Sequence, residues 1–200
     1  MAHAAAAVAA DDHGQTNTGI SNWKLGFWAF IASECLFFGT LISVYMVYKG
    51  AAITGPYPNE IFDVLKTTVS TTILLFSSLA MVLALDQVIK ANKKKAILWL
   101  AAVILMGAAF LVMEYTSYLK YISYGLTLGS STFGSSYYVL TGTHKLHVVI
   151  GMIWMATLIW LIARDRIPPH KSETVEIAGL YWHFVDIIWI VIFTLVYLIQ

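Results

Sequence analysis

Charge is scarce in this chain. Of its 200 residues only 12% are charged, while 59% are hydrophobic. A soluble domain carries about 25% charged residues. The shortfall excludes a soluble globular domain and points to a protein that lies largely within a lipid bilayer. Cysteine is scarcer still. The single Cys35 excludes an internal disulfide and any multi-cysteine metal site. Inside an apolar helix its thiol reads as a small packing group. The formal net charge is +1, and no basic patch alternates with stacking aromatics, so nucleic acid is not an expected partner. Phosphate loops, dinucleotide fingerprints and nucleophile motifs are missing. So is any internal repeat that would suggest a transporter built from inverted halves. Residues 1–22 are Ala-rich and then polar, with no basic leader. They read as a disordered tail rather than a cleaved signal.

What the chain does have is long apolar runs. A membrane span needs about 20 such residues, and five stretches qualify: 23–48, 67–89, 96–119, 137–163 and 178–199. The expected fold is therefore all-α, an integral membrane bundle of five transmembrane helices occupying residues 23–200. The second run is diluted by Ser70, Thr71, Thr72, Ser77 and Ser78. Those hydroxyls are expected to bond back to helix carbonyls or across to a neighbouring helix. The connections are short. One contains Gly55-Pro56-Tyr57-Pro58, another is a basic hairpin at Lys90–Lys95, a third is the Gly- and Ser-rich stretch 120–136, and the last carries Pro168-Pro169.

Loop charge predicts the orientation. Lys24, Lys90, Lys93, Lys94, Lys95, Arg164, Arg166 and Lys171 fall on one side, and Lys49, Lys66 and Lys120 on the other. The richer side should be cytoplasmic, which puts the N-terminus inside and the C-terminus outside. Trp23, Trp28, Tyr48, Trp99, Tyr118, Tyr121 and Tyr137 fall near predicted span ends, where interfacial aromatics belong.

The informative residues are the ionisable ones inside these runs. His183 and Asp186 stand three apart in the last span, on one helix face. A carboxylate in hydrocarbon costs on the order of 2.5–3.5 kcal/mol, so Asp186 needs a partner, and His183 is the nearest. Glu34 lies about 16 Å into the first span. It reads either as a neutral acid bonded to a serine or carbonyl, or as a group that handles protons or holds a partner subunit. His144 and His147, at i and i+3 early in the fourth span, have the spacing of two metal ligands. Zinc needs three or four, and His183 belongs to a different depth, so packing and hydrogen bonding are the leading roles. Glu114, near the outer end of the third span, is expected to snorkel and stay partly solvated. Asp86 and Lys90 have the order of a helix ion pair.

Three segments together resemble subunit III of the haem–copper terminal oxidases: Ser33-Glu34 with Leu36-Phe37-Phe38, Gly142-Thr143-His144 with His147, and Tyr181-Trp182-His183-Phe184-Val185-Asp186 with Ile188-Trp189. The likeness runs from Leu25 to Leu198 and fits the short, five-helix bacterial form. Lys145 departs from it, since relatives usually have glycine there. The resemblance implies an accessory subunit with no catalytic centre and no metal ligand of its own. Haems and copper would sit in partner subunits I and II, and cytochrome c or quinol would act on the complex rather than on this chain. It implies packing on subunit I, bound phospholipid and support of proton uptake, in the plasma membrane of a bacterium. Glu34, His183 and Asp186 would be the proton- or lipid-related groups. His144, His147, Trp182 and Glu114 would be structural or face another subunit.

Overall fold

The computed structural model describes residues 21–49, 62–167 and 172–199. The tail before Ser21, the Gly55–Pro58 turn, Pro168-Pro169 and Lys171 lie outside the described residues. Among the described residues, five helices are long and apolar enough to cross a membrane. They are α1 (Asn22–Tyr48), α2 (Val64–Ile89), α3 (Lys93–Ser123), α4 (Thr132–Ala163) and α5 (Glu173–Ile192), the last continuing as a π-helical turn over Phe193–Leu198.

The helices outrun the apolar stretches at their starts because polar residues cap them. Asp63 accepts from the Lys66 amide at 3.1 Å, so α2 begins three residues before its apolar run. Ser131 accepts from Gly134 N at 3.0 Å. The stretch read as a 120–136 loop is therefore mostly helix, and only 124–131 connects. Serine in that segment signals a cap as much as a loop. At the end of α3 the Leu126 amide bonds the Tyr121 carbonyl and the Gly125 amide bonds the Ile122 carbonyl. Gly125 supplies the φ of +86° that this turn requires. Asp86 and Lys90 form the expected pair, 2.7 Å apart on the last turn of α2.

Contacts divide the chain into two units, one ending at Phe37 and one beginning at Phe38. In the second unit α2 packs on α3, α3 on α4, α4 on α5 and α5 back on α2, closing a ring of four helices. The core side chains of this ring are large: Trp182, Trp189, Phe110, Tyr121, Tyr137 and Tyr197 are all fully buried. Tyr121 and Tyr137 are thus not interfacial. Because α3 and α4 run past the predicted span ends, both rings fall inside the bundle, where they pack edge-on with centroids 5.9 Å apart. Trp23, Trp28 and Tyr48 of α1 are exposed as expected.

Candidate functional site

Two polar constellations lie inside the helix ring. The first joins α2 to α5. Its logic starts from the hydroxyls that dilute the second apolar run. Ser77 gives its own proton to the Leu74 carbonyl at 2.5 Å and accepts the Trp182 indole N–H at 2.9 Å. Thr71 does the same, bonding the Thr67 carbonyl at 2.7 Å and accepting from Trp189 at 2.9 Å. Each hydroxyl therefore bonds back along its helix and also across to α5. A buried indole N–H without such an acceptor would cost about 1–3 kcal/mol. Trp182 can lie flat between α3 and α4 because Gly107 and Gly151 have no side chain. A Cβ on Gly151 would stand 2.8 Å from the indole ring, and one on Gly107 3.0 Å.

Between the two indoles sit the ionisable groups. His183 Nδ1 and Ser78 Oγ share a hydrogen bond of 2.5 Å. Asp186 is 3% exposed, and neither of its oxygens completes a hydrogen bond. The Ser78 hydroxyl also acts on the Asp186 carboxyl. The direct His183–Asp186 pair expected from the sequence is not formed. Spacing put the two residues on one face, but Ser78 from the neighbouring helix reaches the imidazole first and stands between the two roles. His183 also lines a groove of about 170 Å³ with Met81, Val82, Leu85 and Glu176.

His144 is fully buried and donates Nε2–H to the Val185 carbonyl at 3.2 Å, tying α4 to α5. Its ring lies 4.9 Å from Trp189 and 6.1 Å from Phe110. His147 donates Nδ1–H to the Thr143 carbonyl at 2.9 Å and meets the Phe38 ring at 5.0 Å. Both imidazoles are thus engaged with backbone carbonyls and aromatic rings. Among the described residues no three His, Cys, Asp or Glu side chains gather as a metal site would require. Glu34 is half-buried on α1, between exposed Ser33 and Cys35.

The second constellation was not anticipated. Glu114 does not snorkel; it is 1% exposed. Its Oε2 lies 3.4 Å from Lys145 Nζ, and its Oε1 accepts from Ser70 at 3.3 Å. At that separation and angle the Glu114–Lys145 contact is an ion pair rather than a well-formed hydrogen bond. The same ammonium sits 3.1 Å above the Tyr118 ring centroid, and the Tyr118 hydroxyl shares a 2.5 Å bond with Thr141. Helix geometry explains the meeting. Glu114 is nine residues from the C-terminal end of α3, about 14 Å, and Lys145 is thirteen from the N-terminal end of α4, about 20 Å. Side chains on a helix lean toward its N-terminus, which for α4 is the end joined to α3, so the lysine stem covers the difference. The available signal was a cation inside one span and a carboxylate inside its neighbour.

The fold and these interior groups define a multi-pass membrane protein whose buried polar side chains hold helices to one another. Comparison with known proteins narrows this class. The chain matches the family model of cytochrome c oxidase subunit III over residues 6–200. It is 36% identical over 184 residues to quinol oxidase subunit 3 of Bacillus subtilis (strain 168), covering 92% of this chain and 90% of that one. It is 37% identical over 178 residues to cytochrome c oxidase subunit 3 of the same organism, covering 88% and 86%. It is 36% identical over 175 residues to cytochrome bo(3) ubiquinol oxidase subunit 3 of Pseudomonas putida, covering 88% and 84%. The chain belongs to the cytochrome c oxidase subunit III family, part of the haem–copper oxidases.

Proposed function

We propose that this chain is the redox-inert, accessory member of a proton-pumping oxidase in a bacterial plasma membrane. It packs on the subunits that hold haem and copper, binds phospholipid and supports proton uptake by its neighbour. The observation that carries this reading is the family match along residues 6–200, together with imidazoles at His144 and His147 that are already engaged with backbone carbonyls. In this reading Glu34, His183 and Asp186 are the groups tied to protons or lipid. His144, His147, Trp182 and Glu114 keep the helices in register. The cation-rich loops face the cytoplasm, so the N-terminus is inside and the C-terminus outside.

Cytochrome c is the proposed donor to the complex. A second reading, a quinol oxidase, is favoured by the relatives of that name at the same level of identity. An affinity tag on this chain separates the two. The complex it brings down from native membranes is expected to carry haem in its partners and to oxidise reduced cytochrome c. Turnover with quinol alone assigns the second reading. A tagged chain that brings down no haem-bearing partner overturns both.

A further inference from the structure

The outward surface of the helix ring is not uniform. α3 turns Leu98, Leu105 and Val112 outward, each more than half exposed, and α4 does the same with Leu146 and Ile153. Lipid tails satisfy such stripes. The seam between α2 and α5 differs. There Met81, Val82 and Leu85 of α2 and Gly179, Leu180 and His183 of α5 wall a groove of about 170 Å³. Packing within the chain does not require the glycine: a Cβ on Gly179 would stand 3.4 Å from Met81, an ordinary contact. His183 is half-buried, and its Nδ1 is engaged with Ser78 at 2.5 Å. Among the described residues its Nε2 makes no bond. The residue stands about 15 Å from the N-terminal end of α5, past a headgroup layer roughly 5–8 Å thick. A neutral imidazole has one N–H and one lone pair, so Nε2 must give or take a hydrogen bond at a depth where lipid tails do neither. A bound water needs two to four polar partners. Glu176, the other ionisable residue of the groove, is seven residues away along α5, about 10 Å.

We propose that this groove receives a transmembrane helix of another oxidase subunit, which lays one large apolar side chain against Met81, Leu85 and Gly179 and a hydroxyl or carboxamide against Nε2 of His183. The proposal rests on the reading of this chain as a packed subunit; it adds which face packs and what chemistry that face selects. The volume suits one side chain, since a cavity of about 150 Å³ holds a benzene ring. A hydroxyl or carboxamide both donates and accepts, so it serves either tautomer of the imidazole. An ammonium or carboxylate would bring a charge into hydrocarbon. A purely apolar occupant, whether a helix or a lipid tail, would fill the walls and leave the imidazole unsatisfied. Between helices in a bilayer, small residues allow close approach and polar side chains bond across. Gly179 and His183 supply one of each.

The test uses the complex brought down from native membranes through a tag on this chain. A photoreactive phenylalanine replaces either Val82, 50% exposed at the groove, or Leu105, 70% exposed on α3. Light is expected to join position 82 to a second oxidase subunit and position 105 to lipid. Val82→Trp fills the groove from outside the ring. It should lower the partner recovered in stringent detergent about fivefold or more, with the amount of this chain in the membrane unchanged. Leu105→Trp should change neither. His183→Leu should cost recovery to a similar extent, and His183→Gln, which again offers a donor and an acceptor, should restore part of it. Crosslinks from position 82 that reach only lipid, or only a second copy of this chain, overturn the proposal. So does full recovery of the partner with Val82→Trp. In those cases the partner still comes down and the reading of the chain as an oxidase subunit stands. A wild-type tag that recovers no other oxidase subunit overturns that reading and the proposal together.

Discussion

Lys145→Met is expected to destabilise the chain by about 3–5 kcal/mol, the typical cost of stranding one member of a buried ion pair. Glu114 is 1% exposed and would lose its ion-pair partner, keeping only the Ser70 hydroxyl and the field of Lys66. The variant also loses the ammonium over Tyr118, a contact worth up to about 2 kcal/mol when desolvated. Glu114→Leu should cost less, because the Lys145 side chain is 13% exposed and its long stem lets the ammonium move toward the membrane surface. The double variant Glu114→Leu, Lys145→Met removes both charges and should return to within about 1 kcal/mol of the wild type or exceed it. Unfolding by detergent titration in bicelles reads all three. A cost below about 1 kcal/mol for Lys145→Met alone would show that the pair is not buried in the membrane as described.

Trp182→Ala is expected to cost about 3–5 kcal/mol, the range for removing a fully buried aromatic side chain. The indole is fully buried, bonded to Ser77 and flanked by Gly107 and Gly151. The cradle predicts the reverse experiment too. Gly151→Val forces atoms into the space the ring occupies, a Cβ there standing 2.8 Å from it, and should cost about 1–3 kcal/mol by overpacking. Combined with Trp182→Leu, the extra volume becomes useful and part of the loss should be recovered. The two changes are therefore expected to be non-additive by about 1 kcal/mol or more. Strict additivity in the same titration would mean that α4 and α5 do not meet through this ring.

The spans were legible because hydropathy reports what the bilayer demands of the backbone, and all five runs became helices. The helix starts were less legible, since Asp63 and Ser131 extend helices into polar sequence that hydropathy discounts. The hydroxyl-rich second run conveyed both of its options, and Ser77 and Thr71 use both at once. The failures came from contacts between helices. Spacing along α5 brought His183 and Asp186 to one face, but nothing in that spacing announces Ser78, a residue 105 positions away. Glu114 read alone is a snorkelling carboxylate; it becomes a buried ion only when α4 brings Lys145 to it. Likewise nothing in the sequence around Gly107 and Gly151 announces that both make room for one indole.

These geometries share one consequence. His144, the two indoles and Glu114 join one helix to another, and on the proposed reading electrons pass through the partner subunits only. The most direct measurement separates the subunits of the purified oxidase under conditions that keep haem and copper bound, then determines both in each fraction by absorbance and elemental analysis. The account predicts haem and copper with the partners and none in stoichiometric amount on this chain. One haem or one copper ion per copy of this chain, lost on replacement of His144 or His147, would contradict it.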